Sequence, residues 1–168
     1  MRKHILIREG APNIQEVERL EVLVHELAHY LGAAHSGDIN SVMRPVLGDG
    51  RSRARTFRIR LDKSNAKIVQ LVSTEMATRN INSMHLLTMP TRTAIRDQYM
   101  LLAKENPEDP VAKIYVSLMN RSIEHTVAQR QRKLQVQRKL QEQQKKTTPP
   151  KKTPATKTPA IGSGNISG

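Results

Sequence analysis

Residues His25 to His35 read HELAHYLGAAH and hold three histidines, a glutamate and a glycine at set intervals. Positions i and i+4 of an α-helix lie one above the other, so His25 and His29 project from one side and can reach a single ion. Glu26 sits about 100° further round the helix, where it can meet a water on that ion without being a ligand itself. Gly32 suits the left-handed turn that ends a helix, and His35 arrives three residues later as a third ligand. Three protein ligands with a fourth position left for water describe a zinc centre that activates water. With His at about 2% and Glu and Gly at about 7% of residues, these five positions coincide by chance in roughly one chain in a hundred thousand of this length. His4, His85 and His125 lack any such spacing and read as ordinary histidines.

Positioning these groups requires a helix that ends at Gly32. Asn13 is a good N-cap with Glu16 at the third position of a capping box, and Val17, Leu20, Val24, Leu27 and Leu31 recur at helical spacing, which predicts a helix over about 14–31. Ahead of it, HILIR at 4–8 is short, β-branched and closed by Gly10 and Pro12, and reads as a strand. Residues 33–56 are small, polar and rich in turn formers, which predicts a loop without regular elements and a tight turn at Ser41 to Pro45. Asp62 can cap a second helix with Ala66, Val69, Leu71, Val72 and Met76 as an imperfect apolar face. Thr91 to Glu105 and Val111 to about Gln144 read as a helical hairpin interrupted by NPEDP, whose prolines prevent one continuous helix. Ile95, Tyr99 and Leu102 form the face its first arm offers to a partner.

The 168 residues carry 28 Lys and Arg against 15 Asp and Glu, a net charge of +13, with no cysteine, no tryptophan and one phenylalanine. Disulfides and thiolate ligands are therefore excluded, and any metal must be held by histidine or carboxylate. The opening MRKHILIREG has too short an apolar stretch for a signal peptide or a membrane span. From about 146 onward the Pro/Thr/Lys/Gly/Ser composition predicts a disordered basic tail. Charge there can attract phosphates or another anionic partner, yet no aromatic residues are interleaved for base stacking and no nucleic-acid motif is recognised. A solubilising spacer is the plainer reading of that tail. Arg51, Arg53, Arg55, Arg58 and Arg60 form a basic loop, read first as a solvated surface and second as a preference for acidic substrate residues.

HExxHxxGxxH followed by SVMRP, with Met43 eight residues after His35, resembles the metzincin metallopeptidases and, within them, the matrixins. Ser36 directly after the third histidine, the run HSGDINSVMRP and the later FRIRLDKSNAKIVQLV carry the likeness over residues 4 to about 75. The resemblance implies that residues 1–76 are the C-terminal part of an α+β catalytic domain; with the helical extension (77–145) and the tail (146–168) read from pattern and composition, the chain as it stands is mostly α. It implies Zn2+ held by His25, His29 and His35, with Gly32 and Met43 supporting the site. Glu26 would act as general base, removing a proton from a zinc-activated water that attacks a peptide carbonyl and passing it to the leaving amine. Protein or peptide is then the substrate. Pro45 and Leu47 fall at the wall of the main specificity pocket, where matrixins carry a tyrosine in place of Leu47, so pocket preference does not transfer. Family members are secreted, although this opening carries no export signal.

Only 24 residues precede His25, whereas a matrixin carries most of its sheet, its structural metal sites and its substrate-aligning edge strand before that helix. Two alternatives stand on that difference. The chain is a zinc endopeptidase whose reading frame begins further upstream, or it is a catalytically silent fragment that binds zinc or associates through its helices, with the basic tail serving anionic partners.

Overall fold

The computed structural model describes residues 15–54 and 57–147, with side chains to 144. The expected strand at 4–8, the Asn13 cap and the tail beyond 147 lie outside the described residues. Within them the fold is mostly α and contains no strand. Its helices are α1 (Glu16–Tyr30), α2 (Lys63–Thr78), α3 (Met89–Glu105) and α4 (Pro110–Thr147), with short 3-10 turns at Arg51–Arg53 and Met84–Leu86. The turn at Arg51–Arg53 corrects the expectation of a featureless loop: Gly50 takes a left-handed φ of 79°, and the Asp49 carboxylate accepts the Arg51 N–H at 3.1 Å, which together tighten the chain. α4 also continues through Lys146 and Thr147, two residues into the stretch expected to be disordered.

α1 starts later than the Asn13 reading placed it. Gln15 is the extended N-cap, and its backbone N–H is taken by the carboxylate of Glu18 at 2.9 Å, so the capping box is Gln15 with Glu18. The helix ends as expected at Gly32, whose φ is 93°. There the Gly32 N–H donates to the His29 carbonyl and the Ala33 N–H to the Ala28 carbonyl, the paired closure of a Schellman motif. Its buried face, however, is made of Glu18, Glu21, His25, Ala28 and His29, while Leu20, Leu23 and Leu27 are exposed. Of the apolar series that revealed the helix, Val24 and Leu31 pack against the core while Leu20 and Leu27 stay exposed. The buried side is polar because each of its charged or ring groups finds a partner from the following loop.

The chain forms two compact units, Met1–Ala128 and Gln129–Gly168. In the first, Asp62 caps α2 by accepting the Asn65 N–H at 3.0 Å, and α2 buries Ile68 and Val72 against Ile95, Tyr99 and Leu102 of α3 and Ala112 and Met119 of α4. Ile68, absent from the expected face, is fully buried, whereas Ala66 is exposed. Arg92 of α3 is buried and donates to the Ser122 carbonyl at 3.0 Å and to Thr126 Oγ1 at 3.0 Å, which ties α3 to the first half of α4. In the second unit the described residues are the end of α4, with Leu134, Val136 and Leu140 exposed among charged and amide side chains. Among the described residues no helix is long and apolar enough to cross a membrane.

Candidate metal centre

The last two turns of α1 present His25 and His29, and the Schellman turn at Gly32 swings the chain so that His35 meets them. One ring nitrogen from each lies within 4.8 Å of the other two, and the ring centroids are 4.5, 5.5 and 5.0 Å apart. Each ring is held from behind through Nδ1. His25 Nδ1 is 2.7 Å from the Val42 carbonyl, His29 Nδ1 is 2.8 Å from the Ala33 carbonyl, and His35 Nδ1 is 2.6 Å from Asp109 Oδ2. All three acceptors are oxygens without a proton to give, so each Nδ1 carries the hydrogen, which leaves each Nε2 as the nitrogen available to an ion. That is the tautomer a divalent ion requires.

Burial favours the neutral rings as well. It holds the His25 imidazole below its ordinary value and pushes His29 down to about 4, against the carbonyl bonds that favour the charged form. Neutral imidazole with its hydrogen on the far nitrogen is a ligand at pH 7 without first losing a proton. The donor set of three histidine nitrogens fits zinc. Glu26 is half-buried one residue along from His25, and its carboxylate is close enough to act electrostatically on both helical rings.

The loop that carries Met43 reaches the site through the Val42 carbonyl behind His25. Met43 is fully buried with Ala28, Ala33 and Val42, so it packs against the residues beside His29. Its carbonyl accepts the Ser36 N–H at 2.9 Å, and its own N–H donates to Ser41 Oγ at 3.1 Å. Ser41 Oγ in turn donates to Asp62 at 2.8 Å, which anchors the turn to the head of α2. Arg44 next in sequence is buried in an ion pair with Glu21 of α1 and reaches Asp49 at 3.1 Å. Removing either partner of a buried pair strands the other, so this contact fixes the loop to the helix.

Several residues that hold the site carried no signal of it in sequence. The Asn65 side chain accepts the Ala34 N–H and donates to the Ala34 carbonyl, each at 2.9 Å, clamping the backbone next to His35 from α2. Tyr99 of α3 donates its hydroxyl to the Gly32 carbonyl; burial pushes the phenol far up, so it stays a donor. Asp109 lies 74 positions from His35 in the link between α3 and α4. The D-P pair at 109 and 110 announces a helix start, which is legible, but its second contact depends on how the helices pack. A cavity of about 330 Å³ adjoins His29, walled by Gly32, Met84, Tyr99, Tyr115 and Leu118. Pro45 and Leu47 are not in its lining; Pro45 is exposed and Leu47 half-exposed. Of the basic loop, Arg51 pairs with Asp49, Arg53 with Glu18 and Arg60 with Asp38.

Residues 8–72 match the matrixin family model. The match takes in His25, Glu26, His29, Gly32, His35 and Met43, less than half of the chain, and leaves α3 and α4 outside it. No curated protein and no solved structure matches the chain. The matrixin-matching segment and the helices beyond it nevertheless share one core, since Ala34, Ile68 and Val72 pack with Ile95, Tyr99 and Leu102.

Proposed function

We propose that this chain is a zinc-dependent endopeptidase of the matrixin kind, with His25, His29 and His35 as metal ligands and Glu26 as general base. The observation that carries the reading is the convergence of three histidines, each with its Nδ1 hydrogen bonded away from the others, inside a matrixin-matching segment. When bound, zinc supplies Lewis acidity that makes a water easier to deprotonate and a carbonyl more electrophilic. Glu26, beside the ligands but outside the ligand set, accepts the proton from that water and delivers it to the leaving amine. Met43 and Gly32 keep the ligand frame in place. The cavity next to His29 offers apolar walls to a side chain of a protein or peptide substrate, and the family relationship favours an extracellular setting.

Hydrolysis of a denatured protein, measured alongside zinc content, tests the assignment. Glu26→Ala is expected to keep its zinc and lose hydrolysis by a factor of about 100 or more. Retained hydrolysis would remove Glu26 from the mechanism. Zinc without hydrolysis in the unsubstituted chain would favour the silent metal-binding fragment.

A further inference from the structure

We propose that Asp109 is a positioning residue for the third metal ligand, so that the helical extension outside the matrixin-matching segment supplies part of the metal centre. His25 and His29 are oriented by backbone carbonyls of Val42 and Ala33, both within residues 8–72. His35 instead donates to a carboxylate, at 2.6 Å, with side-chain exposures of 26% and 13% for His35 and Asp109. A carboxylate behind an imidazole fixes the ring's tautomer and orientation and makes its other nitrogen a stronger ligand than a neutral acceptor would.

Asp109 is itself held. Its Oδ1 accepts the Val111 N–H at 2.8 Å, capping α4, while Oδ2 takes His35, so one side chain starts a helix and aims a ligand. Pro110 at the first position of α4 fixes the backbone direction there. The end of α3 closes on the same loop, since a Cβ on Gly37 would meet the Glu105 carbonyl at 3.0 Å. The register of α3 and α4 therefore sets where His35 points.

The proposal rests on the zinc reading of the three histidines, and one set of measurements separates the two. The zinc dissociation constant, from competition with a chromophoric chelator, is compared with the melting midpoint of the metal-free protein and the 15N signals of His35. Asp109→Ser keeps an N-cap for α4 but is too short to reach His35. Asp109→Asn keeps the size, yet puts an NH2 group in place of one of the two oxygens that accept separately from Val111 and His35. Both are expected to bind zinc about 10–100-fold more weakly. The Ser variant should melt close to the parent and show a loss of the Nδ1–H tautomer at His35. An unsubstituted chain that takes up no zinc overturns the zinc reading and this proposal together. Zinc bound equally well by the parent and by Asp109→Ser overturns this proposal alone. Full affinity in Asp109→Asn together with loss of the Nδ1–H tautomer at His35 would assign Asp109 to helix capping and overturn it too.

Discussion

At the scale of single residues, the site is a set of imidazoles aimed by the oxygens behind them, and burial keeps two of them, His25 and His29, neutral. His29 has an ordinary value of 6.5 and is pushed by burial to about 4 in the fold. Between those values the unfolded chain takes up a proton that the folded chain does not, so stability is full above about 6.5 and falls as the pH drops towards about 4. His25 shifts in the same direction for the same reason. The melting midpoint of the metal-free protein is therefore expected to decline over that window, and to decline less in His29→Gln. A midpoint independent of pH from 7 to 4 would contradict the burial of these rings. The ligand spacing was legible in the sequence because i, i+4 geometry is local. The acceptors behind the rings were not, because Val42 and Asp109 reach theirs through loops whose paths no spacing encodes.

Among the elements, α1 and the turn after it do most to assemble the site. Helical periodicity announced α1, α2 and both arms of the hairpin, and Gly32 announced the stop. It did not announce which face of α1 turns inward, because Glu21 and the histidines are buried by specific partners that hydrophobic patterning ignores. Gly32 is the critical joint: a Cβ there would sit at a φ of 93° and meet Met84 at 3.2 Å and the Tyr99 hydroxyl at 3.3 Å. Gly32→Ala is expected to cost about 1–2 kcal/mol of stability in denaturant unfolding. It should also weaken zinc, because His35 hangs from the displaced strand of chain. Unchanged stability would mean that the turn can be made without left-handed backbone at this position.

At the scale of the larger unit, Met1–Ala128, the family-matching segment shares one core with α3 and with the part of α4 that lies in that unit, beside the three histidines. Tyr99 holds Gly32, Asp109 holds His35, and Ile95 and Leu102 complete the core under Ala34. The sequence divided these regions at about residue 76 because the resemblance stopped there. Packing between helices far apart in the chain has no local signature, so the shared core stayed hidden. The three histidines are expected to form a zinc site. The most direct test is the zinc content of the purified 168-residue protein after dialysis. About one ion per chain is expected, lost in His35→Ala; no zinc in the unsubstituted chain, or zinc unaffected by His35→Ala, would rule out the three-histidine site.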